Sequence, residues 1–281
     1  MDTRRLRYLV ELSHRGSMRL VAEALHVTTS TVSQQLALLA KEAGAALVEP
    51  DGRRVRLTPA GRRLAEHAVT ILAAVDAARL DLAPDAEPAG TVRVAGFATA
   101  IRRALLPMVA ELSRSHPRVR LLINEHEPAE SYALLAADDV DLALTYAYNL
   151  APVTFDASVD VVPLWTTSWG LGVPDDFAGP AAHDWIVNSR NTADETVVRA
   201  LGALDGFEPR IAHRADSLEL VQDLIVAGLG VGLLPALLPL QPGVHLLPLR
   251  SPDVTMQVYA VTRRGRAGWP PLATVLRLLR P

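Results

Sequence analysis

The sequence predicts an α/β protein with two unequal parts. The smaller N-terminal part is rich in helices and has one β-hairpin, and the larger C-terminal part alternates strands and helices. In residues 1–82, apolar side chains recur mostly at helical spacing, and one Asp-Gly turn interrupts them. From Thr91 onward, short apolar strands alternate with helices, which predicts parallel sheets with helices on both faces. A chain of 281 residues is long enough for two or three domains.

Composition excludes several classes of protein. The chain is 49% hydrophobic and 21% charged, as in ordinary globular proteins. No apolar run reaches the roughly 18 residues that a membrane span needs. The N-terminal MDTRRLRYLVEL is superficially like a signal peptide, but Glu11 and the polar residues 13–17 favour an amphipathic helix in a cytoplasmic protein. Cysteine is absent, which excludes disulfides and thiolate chemistry.

The charge is unevenly distributed along the chain. Residues 1–82 carry 12 Lys and Arg against 9 Asp and Glu, whereas residues 83–281 carry 16 against 22. This asymmetry fits a DNA-binding head on a larger part that does not touch DNA. The excess is small, so charge alone does not establish nucleic-acid binding.

The N-terminal part is predicted to begin with three helices. The first runs from Thr3 to His14, and two shorter helical patterns follow almost back to back. Ser17 is placed to cap the second helix and Thr28 the third, with a tight turn at His26 and Val27 between them. The apolar faces of these two helices are formed by Leu20, Val21, Ala24, Leu25, Val32, Leu36 and Leu39.

The third helix has a polar face opposite its apolar one. A helix clamped by one side, with hydroxyls and amides on the other, suits insertion into a DNA major groove. A merely solvated face is the alternative, and Gln35 is left open between a DNA contact and a bond inside the domain. The residues predicted to face DNA are Thr29, Ser30, Thr31, Ser33 and Gln34.

A β-hairpin is predicted directly after the third helix. Its strands are Ala46–Val48 and Arg53–Leu57, joined through a Pro-Asp-Gly turn that is typical of hairpins. Such a hairpin would be the wing of a winged helix-turn-helix. Arg53 and Arg54, with Arg56 nearby, are predicted to contact phosphates, which position a protein on DNA without specifying sequence. Entry of these arginines into the minor groove is the alternative.

A long helix comes next. Thr58 is predicted to cap it, Pro59 occupies its first position, and it runs to about Leu82 before the linker PDAEPAG. Apolar residues recur along it at spacings typical of a heptad seam, which favours pairing with a second copy. Packing on its own domain is the alternative. The seam residues are Leu64, Ala68, Ile71, Val75, Ala78 and Leu82.

The remaining chain is predicted to alternate strands and helices. Two such units leave a cleft at the carboxyl ends of their strands, close to helix N-termini. The predicted strands are Thr91–Ala95, Arg118–Asn124, Asp141–Thr145, Val161–Val173, Trp185–Asn188, Pro209–Ala215, Gly228–Pro235 and Met256–Thr262. The predicted helices are one that ends near Ser113, then Ser131–Ala137, Asp194–Leu204, Ser217–Ala227 and Leu272–Leu279.

Several residues at these strand ends are candidates to bind a small molecule. The amides after the first strand and the Thr99 hydroxyl are suited to a carboxylate or another anion. The alternative for each Ser, Thr or Asp is a helix cap without a ligand. Trp165 and Trp169 are interpreted as core or hinge packing. The candidate set is Ala98, Thr99, Ala100, Thr145, Tyr146, Asn191, Thr192, Asp216 and Ser217.

Taken together, the motifs resemble those of LysR-type transcriptional regulators. The resemblance covers essentially the whole chain. It is strongest in LRYLVEL, GSMRLVAEALHVTTSTVSQQLALLAKEAG and LVEPDGRRVRLTPAG, and extends to GFEPRIAHRADSLELVQDLIVAGLGVGLLP. Family members often carry Gln, Pro and Arg where this chain has Thr29, Ser30 and Gln34, and Phe and a basic residue where it has Val48 and Pro50. The DNA sequence that the family reads is therefore not carried over.

The resemblance implies a domain layout. Residues 1–58 are a winged helix-turn-helix, 59–83 a dimerisation helix, 84–90 a hinge, and 91–281 an effector-binding domain. That domain is expected to have a two-lobed, periplasmic-binding-protein-like (type 2) fold of two Rossmann-like subdomains. Lobe I is expected at about 91–162 and 264–281, and lobe II at about 163–263.

The resulting hypothesis is a sequence-specific transcriptional regulator that responds to a small molecule between its lobes. The expected partners are a pseudo-palindromic double-stranded operator, a second copy in a dimer or tetramer, the effector and RNA polymerase, and no membrane. A DNA-binding regulator without a ligand response is the alternative. An α/β enzyme is least favoured because no nucleophile–base pattern, nucleotide loop or paired histidines occur. No cofactor and no metal are expected.

Overall fold

A computed structural model describes residues 1–51, 54–82 and 87–279. The N-terminal head has three helices, α1 (Thr3–Arg15), α2 (Met18–Ala24) and α3 (Thr29–Ala43). Leu6, Leu9 and Leu12 of α1 are buried together with Val21, Val32, Leu36 and Leu39 in one core. The apolar spacing of each helix therefore converges on a single small core, as the sequence predicts.

The turn between α2 and α3 is tight because His26 adopts a left-handed conformation with φ of 53°. Thr28 caps α3, since its Oγ1 accepts a hydrogen bond from the Thr31 amide at 3.2 Å. The predicted cap at Ser17 is different. Ser17 occupies the N-cap position of α2, but its side chain makes no capping hydrogen bond. The first helix, α1, has a side-chain cap at Asp2, which accepts a hydrogen bond from the Arg4 amide at 2.8 Å.

The hairpin pairs β1 (Val48–Asp51) with β2 (Arg54–Leu57), and Val48 lies opposite Leu57. The first strand thus begins two residues later than predicted. Leu47 turns inward to the core at 1% exposure and its carbonyl accepts from the Thr58 amide, so pairing begins only after it. Arg53 lies outside the described residues, and of Arg54 only the backbone is described.

The long helix α4 (Pro59–Asp81) begins directly after Thr58. The Thr58 hydroxyl accepts from the Gly61 amide at 2.9 Å and donates to the Ala46 carbonyl at 2.7 Å, which ties α4 to the hairpin. Ala68 is completely buried in the core of the head and Leu64 packs against that core. In this conformation Ala68 serves its own domain, because a fully buried side chain cannot contact a second copy, whereas Leu64 is only partly buried.

The later part of the seam remains on the surface. Ile71 is 36% exposed and Leu82 is 82% exposed. Ala78 is also exposed and Val75 is half-buried. Self-association through these positions stays a prediction.

The C-terminal part forms a mixed α/β layer. Its strands are β3 (Gly90–Gly96), β4 (Val119–Glu125), β5 (Leu142–Tyr148), β6 (Val159–Val173), β7 (Asp184–Val187), β8 (Arg210–Arg214), β9 (Val231–Pro235), β10 (His245–Pro248) and β11 (Val254–Arg263). Its helices are α5 (Ala98–Ala100), α6 (Leu106–Ser115), α7 (Pro128–Ala136), α8 (Ala193–Asp205), α9 (Leu218–Val226) and α10 (Pro270–Leu279), with a π-helical turn at Ile101–Leu105 between α5 and α6.

Within the described residues these strands make one nine-stranded sheet, in the order β4-β3-β5-β11-β6-β9-β7-β8, with β10 paired to β6. Pairing is parallel between β3, β4 and β5, and between β7, β8 and β9. The sheet is antiparallel where β11 joins β5 to β6. The two long strands β6 and β11 pass between the halves of the sheet in opposite directions, which explains why it is mixed rather than wholly parallel.

The head lies against lobe I through α1. The imidazole Nδ1 of His14 is 2.6 Å from Asp138 Oδ2, and Arg263 also forms an ion pair with Asp138. Burial and the positive charge of Arg263 lower the pKa of His14 to about 4. Because its pKa is this low, the imidazole is neutral at pH 7 and donates a hydrogen bond to Asp138. Among the described helices, none is both long and apolar enough to cross a membrane.

Candidate nucleic-acid interface and interlobe cleft

The polar face of α3 is open to solvent. Thr29, Ser30, Ser33 and Gln34 are exposed, whereas Val32, Leu36 and Leu39 on the opposite face are fully buried. This is the division that a helix needs to be held by its domain and still reach the edges of bases. Thr31 differs from the other predicted residues, because it is half-buried and its hydroxyl lies 2.9 Å from Thr28 Oγ1.

Gln35 is tied to the rest of the head. Its Oε1 accepts a hydrogen bond from Arg5 Nε at 3.3 Å. The same Arg5 forms an ion pair with Glu42 at the far end of α3. In this conformation Gln35 thus makes the bond within the domain that was one of its two alternatives, and this bond ties α3 to α1.

Basic side chains flank this helix at the hairpin. Arg56 is exposed, and its Nε lies 2.9 Å from Glu49 Oε1 on the opposite strand. Arg62, near the start of α4, donates to the Leu57 carbonyl at 3.0 Å. Exposed guanidinium groups at this edge are suited to phosphate oxygens, which they can bind with two parallel hydrogen bonds.

The second site is a cleft of about 590 Å³ between the two lobes. It opens at the carboxyl ends of the strands, where ligands bind in open α/β sheets. Phe97, Ala98 and Thr99 follow β3, and Asn188 follows β7. The other residues that line it and bear on the argument are Arg102, Arg103, Glu127, Tyr146, Tyr148, Trp169, Asp194, Asp216, Ser217 and Glu219.

A row of aromatic rings forms one wall of the cleft. Phe97 and Tyr146 meet edge to face with ring centroids 4.8 Å apart, and Tyr148 and Trp169 do the same at 5.3 Å. Tyr146 and Tyr148 lie on the same side of β5 because residues i and i+2 of a strand share a face. They also contact each other edge to face at 5.8 Å. The row is therefore continuous across the cleft.

Two acidic side chains stand beside this wall. Glu127 is 6% exposed, and its Oε2 accepts from the Tyr146 hydroxyl at 2.8 Å and from Asn191 Nδ2 at 2.6 Å. Burial raises the pKa of Glu127, and the charge of Asp216 adds to that rise. Burial also raises the pKa of Asp194 to about 6. Asp194 Oδ1 is buried and has no hydrogen-bond partner among the described residues.

Hydrogen bonds join the lobes at the edge of the cleft. Asn191 of lobe II reaches Glu127 and the Tyr146 hydroxyl of lobe I, the latter at 2.7 Å. Arg190 forms ion pairs with Glu130 on α7 and with Asp216, the latter at 3.1 Å. The contacts of Asn191 with Glu127 and Tyr146 and of Arg190 with Glu130 join the two lobes directly, through side chains of the protein itself.

Five of the predicted ligand residues line the cleft, namely Ala98, Thr99, Tyr146, Asp216 and Ser217. Asn191 stands at its edge. Ala100 does not line it, because its side chain is completely buried in the sheet core. Thr145 is 1% exposed and on the opposite face of β5 from Tyr146, since neighbouring strand residues alternate. Thr192 is exposed at the start of α8 and makes no side-chain cap.

Trp169, interpreted as core or hinge packing, belongs to the buried core and also lines the cleft, and its Nε1 is buried without a hydrogen-bond partner in the described chain. The anion site predicted at the start of the helix after β3 stays a prediction; α5 begins at Ala98 and continues after Ala100 into the π-helical turn. Ser217 does act as a cap, accepting from the Leu220 amide at 3.3 Å while it lines the cleft.

Glu127, Tyr148 and Asp194 line the cleft but are not among the residues predicted from the sequence. Tyr148 had a usable signal, since it lies two residues after Tyr146 on one strand face. Glu127 and Asp194 come from different lobes and carried no local signal. Groups of three or more His, Asp or Glu able to hold a metal ion are absent from the described part of the chain.

Comparison with known proteins agrees with this architecture. Residues 3–62 match the model of the bacterial regulatory helix-turn-helix proteins of the lysR family, and residues 85–281 match the LysR substrate binding domain. The chain belongs to the LysR family of transcriptional regulators. As a member of that family, it is a DNA-binding transcriptional regulator with an effector-binding domain.

Individual relatives cover nearly the same length. The transcriptional dual regulator GltC of Bacillus subtilis is 31% identical over 253 residues, which are 84% of this chain and 81% of that protein. The DNA-binding transcriptional dual regulator OxyR of Escherichia coli is 28% identical over 297 residues, or 99% and 95% of the two chains.

Solved structures of LysR proteins share the fold. A full-length OxyR variant from Pseudomonas aeruginosa superposes with a TM-score of 0.67 at 22% identity, covering 99% of this chain and 96% of that one. The LysR regulator CbnR complexed with its target DNA superposes with a TM-score of 0.50 at 22% identity, covering 99% and 98%.

Proposed function

We propose that this LysR regulator reads a two-half-site operator with α3 and that a small molecule between its lobes changes how it does so. The exposed face of Ser30, Ser33 and Gln34 is the observation that carries the DNA-reading part. Its hydroxyls and amide can donate to and accept from base edges. Arg53, Arg54 and Arg56 are proposed to hold phosphates, which would make binding salt-dependent.

Two heads are needed to read such an operator. We propose that a second copy joins through the exposed stretch of α4 that includes Ile71 and Ala78, together with Leu82 directly after it. A dimer of heads reads half-sites one or more helical turns apart, so its operator is an interrupted dyad. The assembled regulator would act on transcription in the cytoplasm through contact with RNA polymerase or by occluding it.

The response to a ligand rests on the cleft. A volume of about 590 Å³ lined by apolar rings and a few polar groups is suited to a small molecule. A ligand that binds one lobe arrangement better than another shifts the population of the two, and with it the spacing of the heads. The chain has no cysteine, so a response cannot use a thiol.

A regulator without a ligand response is the second candidate. The hydrogen bond from Asn191 to Glu127 and the ion pair from Arg190 to Glu130 close the cleft edge by contacts within the chain. If they fix a single lobe arrangement, binding to DNA would depend only on the amount of protein.

Footprinting of the DNA upstream of the gene, with the full-length protein, tests the first candidate. We expect protection of an interrupted dyad at physiological salt. Equal affinity for random DNA would refute sequence-specific reading. A change in the protected pattern on adding a compound that raises the melting temperature would distinguish the ligand-responsive regulator from the second candidate.

A further inference from the structure

The interlobe cleft contains acidic groups that no cation neutralises within the described chain. Glu127 comes from lobe I, just before α7, and Asp194 comes from lobe II, in the first turn of α8. The hydrogen-bond donors to Glu127 include the Tyr146 hydroxyl and the Asn191 amide, which are both neutral. The charged groups that act on the pKa of these two carboxyls are acidic: Asp216 for both, and Asp194 for Glu127.

The arginines around the cleft contact groups other than Glu127 and Asp194. Arg102 pairs with Glu219 at 3.1 Å, and the Arg103 guanidinium lies 4.8 Å from the centre of the Trp165 ring. Arg190 pairs with Glu130 and Asp216. Burying an uncompensated carboxylate is costly, so this arrangement favours a positive charge supplied from outside the chain.

The aromatic wall provides a second, independent indication. Tyr146, Tyr148 and Trp169 border the same space as the two carboxyls. Aromatic faces attract cations, and proteins use cages of such rings to hold ammonium groups. Trp169 is 8% exposed, and its Nε1 donor is buried with no partner among the described residues, so the wall also offers one unused hydrogen bond.

We propose that the effector carries a cationic nitrogen, as a protonated amine or an amidine, held by Asp194 and Glu127 against Tyr146 and Tyr148. The Trp169 indole donates to an acceptor on the same molecule. This proposal rests on the proposed ligand response but makes a separate claim about the chemistry of the ligand. It differs from the anion that the sequence predicted at the start of the helix after β3.

A panel of compounds with matched shapes separates the effect of ligand charge on binding from the effect of ligand shape. Full-length protein is titrated by calorimetry and thermal shift with 2-phenylethylamine, 2-phenylethanol and phenylacetate, and with agmatine and putrescine against 1,4-butanediol. We expect at least one amine to bind and to raise the melting temperature, and its neutral and anionic counterparts to bind at least about tenfold more weakly, the factor that about 1.4 kcal/mol represents. Binding of phenylacetate in preference to every amine, or binding of no amine, would overturn the proposal.

Variants locate the binding site. Asp194→Asn should weaken the bound amine by about tenfold or more, and Glu127→Gln should weaken it in the same direction. Asp205→Asn, at the exposed far end of the same helix, is the matched control and should leave the affinity unchanged. Amine binding unaffected by both cleft variants would refute the assignment. If one variant fails to fold, the other still decides the outcome.

The DNA footprint separates the proposed chemistry of the ligand from the proposed response to a ligand. Amine binding that depends on Asp194 but leaves the footprint unchanged would support the ligand chemistry and refute the ligand response. An anion that binds and changes the footprint would support the ligand response and refute the proposed cationic ligand.

Discussion

Asp194 in the cleft makes the stability of the protein depend on pH. It faces Tyr148 on β5, Glu127 before α7 and Asp216 before α9, and burial raises its pKa to about 6 from 3.8. The folded protein therefore holds this proton at pH values where the unfolded chain has lost it. The contribution of Asp194 to stability therefore falls as pH rises from about 4 to about 6 and levels off above.

We expect Asp194→Asn to remove this dependence. The variant should be more stable than the parent at about pH 7.5, by up to about 3 kcal/mol, and close to it near pH 4. Denaturant unfolding at both pH values measures the difference, and Asp205→Asn is the control. A stability difference that does not change with pH would contradict a raised pKa.

Gln34 and Gln35 are neighbours with different predicted roles. Gln34 is exposed and Gln35 bonds to Arg5. Gln34→Ala should weaken binding to the operator by about 1–3 kcal/mol, the usual value of a bidentate base contact, and leave the melting temperature unchanged. Gln35→Ala should mainly lower the melting temperature. Fluorescence anisotropy on operator and scrambled DNA separates the two, and equal effects on both DNAs would contradict base reading by Gln34.

At the scale of elements, Thr58 joins the hairpin to α4. It is 8% exposed and its hydroxyl both donates and accepts a hydrogen bond within the chain. Thr58→Ala should destabilise the head by about 1–2 kcal/mol, as expected when a helix cap is lost. Thr58→Ser keeps the hydroxyl and should lose less than half of that. Thermal unfolding followed by circular dichroism measures both, and equal loss in the two variants would point to the methyl group instead.

Elements with local signals could be predicted from the sequence. The three head helices, the Thr58 cap and the alternation of β and α elements follow from periodicity and capping residues. The strand β10 was missed because four residues ending in Pro248 carry no alternating pattern, and its pairing with β6 is a tertiary event. The sequence predicts β11 as a strand but not its antiparallel direction, which depends on the crossing of β6.

The residues of the interlobe cleft were predictable only in part, because contacts made by tertiary structure carry no local signal. Asp216 and Ser217 lie at a helix start, which a sequence marks, whereas Tyr146 was predicted at a strand end and lies inside β5, which continues to Tyr148. Glu127 and Asp194 meet only because two lobes close on each other, and Trp169 faces the cleft because β6 crosses between them. Such long-range juxtapositions leave no periodic trace in the chain.

For the whole molecule, self-association is the next prediction. Ile71→Glu places a charge on the exposed side of α4 and should convert an oligomer to a smaller species, because burying an unpaired carboxylate at an interface is costly. Leu204→Glu is the control, as Leu204 is 64% exposed on α8 of lobe II. Light scattering after size exclusion gives the masses, and an unchanged mass for Ile71→Glu would contradict pairing through this face.

The proposed regulation depends on α3 of a symmetric assembly reading a specific DNA sequence. Selection of bound fragments from random double-stranded DNA by the full-length protein, at physiological salt, tests it most directly. We expect enrichment of an interrupted inverted repeat with half-sites one or more helical turns apart. A bound pool with the same sequence composition as the starting library would contradict it.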